Sequence, residues 1–280
     1  MFIKGKINLG DLRTEAGGTL KRMRLSVRRN KKTVVAGLML LLLAGIAYAG
    51  PRAVVAASQN AMAASKELPI YCVDRKDKVV ALTFDAAWGN EDTQQILDIL
   101  EKHNVKVTFF ATGGWVETYP EDVKKIIEAG HAFGNHSENH KFMTKLSDEQ
   151  KKQELMKVHD KVKALTGYEM CLFRPPYGDY NDAVVRTAES LGYYTIQWSV
   201  DSLDWKDYGV DSIIKTVTQH KNLDSGAIIL MHNGAKYTAD ALDSVIMNLK
   251  EQGYSFVTVA QLIHTGKYHI DHTGKQIADE

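Results

Sequence analysis

Cysteine is scarce in this chain of 280 residues: Cys72 and Cys171 are the whole supply. Two thiols exclude a disulfide-rich scaffold and a four-thiolate zinc site. A strongly basic domain is also missing. The formal net charge of +1 hides an asymmetry: residues 1–49 hold ten Lys/Arg against two Asp/Glu, and the other 231 residues hold 25 basic against 32 acidic. The larger part is mildly acidic, which argues against bulk nucleic-acid binding. No internal repeat and no low-complexity tract occurs. With 44% hydrophobic and 25% charged residues, wholesale disorder is excluded as well.

Long apolar runs are limited to one. Seven basic residues between Lys21 and Lys32 precede an uncharged, mostly apolar stretch at 34–50. Its 17 residues reach the short limit for a membrane-spanning helix. A basic flank before such a run predicts an anchor with the remainder outside the cytoplasm. Ala47-Tyr48-Ala49 has the form of a cleavage site, so a signal peptide and a secreted product are the competing expectation. The expected localisation is the cell membrane with an extracytoplasmic domain, or secretion if the segment is cleaved. The expected organisation is a basic cytoplasmic segment at 1–33, an anchor or signal core at 34–50, a linker at 51–77, one domain at 78–263 and a polar, disordered tail at 264–280.

From Lys78 onward the pattern alternates in type. The runs at 78–84, 105–110, 131–136, 171–176, 193–200, 226–231 and 254–259 read as strands, rich in apolar and β-branched residues. Helical patterns lie between them. The segment 148–166 is the longest, with Ser147 and Gln150 in capping-box spacing and Gly167 at its end. Seven strands alternating with six helices predict a parallel α/β fold. Odd polar residues stand where nearly every strand ends: Asp85, His136, Arg174, Asp201 and His232. A barrel collects its strand ends at one mouth, so this placement favours a distorted (β/α)7-type barrel with a single catalytic domain.

Five clusters carry the chemistry: Thr83-Phe84-Asp85-Ala86, His136-Ser137-Glu138-Asn139-His140, Arg174-Pro175-Pro176-Tyr177-Gly178, Asp201-Ser202-Leu203-Asp204-Trp205, and Leu230-Met231-His232. Each has a bland reading. Asp85 could cap a turn. His136 and His140, four apart, could be two surface histidines, or could share a divalent cation. Residue 137 is Ser, so the H-E-x-x-H pattern of thermolysin-like proteases is missing. The two prolines after Arg174 restrict the backbone and would hold Arg174 and Tyr177 in set directions. A glycosidase built on Asp85 and Asp204 would leave the histidines and Arg174 without a role. A phosphatase would want a cradle of N–H groups, for which Gly113-Gly114 is weak support.

Together, in this order, the five clusters resemble the polysaccharide deacetylase family, the NodB-homology or carbohydrate esterase family 4 domain, over roughly residues 78–263. The resemblance implies a distorted barrel that removes acetyl groups from amino sugars of chitin-like or peptidoglycan chains. It implies Asp85 as catalytic base, His136 and His140 as metal ligands, and Arg174 as the partner that orients the base. It implies the Tyr177 N–H at the oxyanion and His232 as general acid. Asp204 is the favoured carboxylate behind His232, with Asp201 as the alternative, and Trp205 and Leu230 would line the acetyl pocket or groove. The implied cofactor is a divalent metal, zinc first and cobalt second. The implied partner is peptidoglycan or a related glycan, with a membrane contact through the N-terminal segment, no nucleic acid and no obligate protein partner. The wording around TFDAAWGNEDT also resembles a sporulation-linked, membrane-attached subgroup.

One position departs from that pattern. The second aspartate of the family's T-F-D-D motif, a metal ligand, is Ala86 here. Alanine cannot ligate, so the chain has one protein ligand fewer than the three usual in a catalytic zinc site. The resemblance with this departure implies one of two outcomes: a working N-deacetylase of cell-wall amino sugars (N-acetylglucosamine or N-acetylmuramic acid), or a catalytically weak or inactive glycan-binding relative.

Overall fold

A computed structural model of the chain describes residues 66–279. Its spine is strand β2 (Val79–Ala86), eight residues that are buried throughout. Side chains alternate across a strand, and here both faces are covered. Val80, Leu82, Phe84 and Ala86 pack into a large cluster shared with the helices. Val79 and Ala81 join a smaller cluster with Phe110, Leu172, Ile196 and Ile228. A strand buried on both faces reads as the continuous apolar run seen in the sequence.

Around this spine, β3 (Thr108–Ala111), β4 (Ala132–Asn135), β5 (Leu172–Phe173) and β6 (Tyr194–Thr195) follow in parallel order on one side. On the other side β8 (Ala227–Asn233) lies parallel to β2, and β7 (Val200–Asp201) lies parallel to β8. The 193–200 run therefore spans the two rims of a curled sheet. Its beginning pairs with β5 and its end with β8, and the pairing changes through Gln197, Trp198 and Ser199. The result is the expected distorted barrel within a mixed sheet flanked by helices. Strand β9 (Ser255–Phe256) adds to the start of β2.

The intervening helices are α1 (Thr93–Lys102), α2 (Gly113–Thr118), α3 (Pro120–Glu128), α4 (Asp148–Thr166), α5 (Asp182–Ser190), α6 (Val210–Thr218), α7 (Thr238–Glu251) and the short α8 (Val259–Leu262). Their ends follow the residues that predicted them. Ser147 and Gln150 form a reciprocal capping box at α4, and Gly167 ends that helix in the left-handed region at φ 74°. A glycine reaches that conformation without the Cβ penalty other residues meet.

Two segments differ from their sequence reading. Residues 66–77 are not only a linker: Ile70 bridges to Ile196, and β1 (Cys72–Val73) pairs with β8. The tail read as disordered forms a hairpin of β10 (Tyr268–Ile270) and β11 (Lys275–Ala278), and β11 pairs with β1. The physical reason is Gln276. It is wholly buried, its amide donates to the His264 carbonyl at 2.8 Å, and its Oε1 accepts the His264 N–H at 2.9 Å. One polar side chain thus satisfies two backbone groups at once, which a count of polar residues does not reveal. Cys72 and Cys171 are both free thiols.

The membrane expectation is corrected. Among the described residues no helix is long and apolar enough to cross a membrane. Segment 34–50, on which the anchor, the membrane contact and the localisation rested, lies outside the described residues.

Candidate active site

Strand ends at one mouth bring together most of the residues singled out from the sequence. Asp85 on β2 and His232 on β8 are register partners on adjacent parallel strands, so their backbones lie about 4.8 Å apart. Arg174 follows β5 and is fully buried. Its Nη1 donates to Asp85 Oδ1 at 2.7 Å and to Thr83 Oγ1 at 2.8 Å, and its Nη2 donates to the Gln197 carbonyl at 3.3 Å. Thr83 Oγ1 in turn donates to the Ile229 carbonyl. The guanidinium lies 4.2 Å from the centre of the Phe110 ring, an arrangement that suits a planar cation. Burial pushes the Asp85 carboxyl up, but Arg174, then His136 and His232, outweigh it and hold the acid below its ordinary range. Asp85 is therefore a fixed, ionised carboxylate.

A second polar pair stands beside the first. Asp204 is fully buried and accepts four hydrogen bonds. These come from the His232 N–H (2.7 Å), Thr238 Oγ1 (2.6 Å), the Trp205 N–H (2.9 Å) and, with the proton on the ring, His232 Nδ1 (2.7 Å). Burial pulls the His232 imidazole down, yet the Asp204 hydrogen bond and charge reverse this and raise its affinity for a proton. Asp204 is thus the carboxylate behind His232. Asp201 accepts the Leu203 N–H and shapes its own turn instead. Trp88 stacks on the His232 ring at 5.5 Å between centres.

His136 and His140 do meet. The turn between them holds Ser137 and His140 at φ 65° and 53°, and Asn135 Oδ1 fixes it by accepting the Ser137 N–H at 2.9 Å. His136 Nδ1 lies 2.7 Å from the Arg174 carbonyl, and the Nε2 atoms of the two rings are 3.2 Å apart. That geometry lets one ring donate to the other. Burial, with His136 beside it, lowers the His140 pKa to about 4. Tyr177 takes a left-handed conformation (φ 59°), sets its ring edge-on to His140, and stacks on Phe142. Leu230 is buried on β8, two residues before His232. Trp205 is 52% exposed and stands on the rim rather than deep in a pocket.

These donors do not fit a catalytic metal centre. Residue 86, where the resemblance implies a carboxylate, is an alanine wholly buried in the outer hydrophobic cluster with Phe84 and Ala111. Asp85 is engaged by Arg174, with its Oδ2 3.6 Å from His136 Nε2. Among the described residues no group of three or more His, Cys, Asp or Glu side chains is arranged to hold a metal ion. The expectation of zinc or cobalt is corrected on that ground: His136 and His140 converge, but two imidazoles are one ligand short of the three usual in a catalytic zinc site.

Sequence reasoning missed four contributors. Thr83 enters the sequence pattern only as part of its motif, although a lone hydroxyl in an apolar strand is a signal. Asn135, Gln197 and Thr238 serve the site through one backbone or side-chain contact each, and no local pattern marks them.

The chain belongs to the polysaccharide deacetylase family, whose model matches residues 73–196. It is 40% identical over 198 residues to a peptidoglycan-N-acetylglucosamine deacetylase of Bacillus cereus, covering 68% of this chain and 91% of that one. It is 37% identical over 201 residues to the peptidoglycan-N-acetylmuramic acid deacetylase PdaA of Bacillus subtilis, covering 69% and 74%. Among solved structures it resembles BA3943 of Bacillus anthracis, described as a CE4 family pseudoenzyme, at 40% identity and a TM-score of 0.66, covering 69% of this chain and 68% of that one. A mutant of BA3943 is described as having restored enzymatic activity. These likenesses carry the family and not the sporulation-linked subgroup. The family's general metal requirement stands, and this chain's own donors fall short of it.

Proposed function

We propose that the domain recognises cell-wall amino-sugar chains, and that it is a catalytically weak or silent member of its family. The observation that carries this reading is Ala86: it removes the third donor and leaves His136 and His140 as two converging imidazoles without a carboxylate partner on β2 beyond the Arg174-bound Asp85. Support comes from the likeness to BA3943, a relative described as a pseudoenzyme. The substrate class follows from the relatives named as peptidoglycan deacetylases, one for N-acetylglucosamine and one for N-acetylmuramic acid. Residues 78–263 form the core of the domain in this reading.

The proton-handling groups support a second reading, a working N-deacetylase. Asp85, held ionised by Arg174, has the state a general base needs. His232, with its proton affinity raised by Asp204, has the state a general acid needs at a leaving amine. Tyr177, in its turn after Pro176, would offer its N–H to an oxyanion. These pairs hold and move protons but supply no third ligand, so they do not outweigh its loss.

Acetate release from peptidoglycan fragments, measured beside binding of the same fragments, separates the two. The expected result is binding with little or no release by the wild type, and release on restoring an aspartate at residue 86. Wild-type release as fast as that of the Ala86→Asp variant would overturn the proposal.

A further inference from the structure

The turn that carries His136 and His140 is held from outside the mouth. Asn135, wholly buried at the end of β4, fixes it through Oδ1, which accepts the Ser137 N–H at 2.9 Å. Ser137 Oγ then accepts the His140 N–H at 3.1 Å. The other end of the Asn135 amide faces α4. Its Nδ2 donates to the Leu155 carbonyl at 2.8 Å and to Tyr193 Oη at 3.4 Å. Tyr193 Oη lies 2.6 Å from His159 Nδ1, and His159 Nε2 lies 2.9 Å from Glu169 Oε2. Leu155 and His159 stand one turn apart on α4, on the same face. A line of hydrogen bonds thus runs from the buried turn to an exposed carboxylate.

Two backbone groups fix the direction of every bond in that line. The Ser137 N–H can only donate and the Leu155 carbonyl can only accept, so Oδ1 and Nδ2 of Asn135 cannot be exchanged. Nδ2 therefore offers its second hydrogen to Tyr193 Oη, which must accept it. Burial pushes the Tyr193 hydroxyl up to about 12, so it keeps its own proton and donates it to His159 Nδ1. Nδ1 is then the acceptor of a neutral imidazole, and the Nε2–H points at Glu169. Each group donates outward and none is left over.

A proton on His159 cannot enter this line without breaking it. It would land on Nδ1 and place two hydrogens between atoms 2.6 Å apart. The Tyr193 hydroxyl must then turn its hydrogen inward, where it meets the Nδ2–H of Asn135. The inner bond is lost and Asn135 keeps only Leu155 on that side. Ser137 and His140 hold left-handed φ values, which residues other than glycine keep only while their surroundings impose them. The groups that bear on the His159–Tyr193 pair are Cys171, Asp160 and Glu169, and Glu169 is also bound to Lys163 Nζ at 2.5 Å. Burial raises the Cys171 thiol, so it stays neutral. The two carboxylates favour the added proton. The His159 side chain is 15% exposed, so protons reach it from solvent.

We propose that His159 is a positioning residue for the His136–His140 turn: when it takes up a proton, the rearrangement through Tyr193 and Asn135 loosens the bond that fixes Ser137. Solution pH then sets how firmly the two imidazoles are held together. The inference concerns the turn alone and stands whether or not the domain binds glycan or releases acetate.

The full chain, labelled with nitrogen-15, is titrated by NMR between about pH 8 and pH 5, the range over which an imidazole ordinarily changes charge. The His159 ring nitrogens and the Ser137 amide are followed together and should share one midpoint. Protection of the Ser137 amide against hydrogen exchange, corrected for the pH dependence of exchange itself, should fall about two- to tenfold across it, the worth of one hydrogen bond. Glu169→Gln, at an exposed carboxylate, should move both midpoints to lower pH together. Tyr193→Phe should leave His159 titrating while the Ser137 amide loses its step, and His159→Gln should remove the step as well. A step that survives in His159→Gln would belong to another group, such as His232, and would overturn the proposal. A step that persists in Tyr193→Phe would also sink it, because His159 would then act by charge or packing alone. The wild-type comparison needs no variant: a Ser137 midpoint different from that of the His159 ring, or no Ser137 step, ends the idea.

Discussion

Arg174 and Asp85 form an ion pair sealed inside the barrel mouth, with Nη1 2.7 Å from Oδ1 and the guanidinium wholly buried. Removing one partner strands the other as an unpaired buried charge. Arg174→Met should therefore destabilise the fold by about 3–5 kcal/mol, and the double change Arg174→Met with Asp85→Leu by clearly less. Urea denaturation of the single and double variants measures both. Because the Asp85 carboxyl titrates below its ordinary range in the fold, its contribution is present above about pH 4 and is lost as pH falls through the folded value. Arg174→Met should flatten that part of the stability profile.

His232 and Asp204 give the opposite sign. The folded imidazole binds its proton more tightly than the free side chain. Its contribution to stability is full below about pH 6.5 and fades as pH rises through the raised folded value. Asp204→Asn should lower the His232 pKa, read directly from the imidazole shifts in an NMR titration. An unchanged midpoint would mean that Asp204 only packs against the ring.

Ala86→Asp places a carboxylate in an apolar cluster. Without metal the variant should lose on the order of 2–4 kcal/mol, the range for an unpaired buried polar group. If the new carboxylate swings to His136 and His140, added zinc should restore the melting temperature in proportion to occupancy and should leave the wild type unmoved. Equal zinc response in both proteins would show that residue 86 does not face the histidines.

His131 predicts acid sensitivity far from the mouth. Burial, with Lys106 nearby, drops its pKa to about 4, and its Nδ1 accepts the Val107 N–H at 3.2 Å. A depressed histidine stabilises above its unfolded value and loses that contribution as pH falls from about 6.5 towards the folded value, on the order of 2–3 kcal/mol. His131→Asn keeps an acceptor for Val107 and cannot titrate. Its stability should therefore fall less between pH 7 and pH 4.5 than that of the wild type in parallel urea titrations.

The linear pattern was enough for the alternation of strands and helices, the capping box at Ser147 and the glycine stop at Gly167, because each depends on neighbours within a few residues. It was also enough to nominate Asp85, His136, His140, Arg174 and His232, since a polar residue ending an apolar strand is visible locally. Asp204 was favoured over Asp201 only through the family resemblance, and the contacts that separate the two needed the tertiary structure. Both are acidic and three apart, and only the approach of β8 and α7 gives Asp204 its contacts with His232 and Thr238. The C-terminal hairpin was illegible for a similar reason: its register is set by Gln276 reaching His264 and by pairing with β1, some two hundred residues away in the chain. The consequence of Ala86 divides between the two levels. The missing carboxylate is plain in the sequence. That the two imidazoles converge, and that the alanine sits in the outer hydrophobic layer, depends on how strands pack, which no local rule encodes.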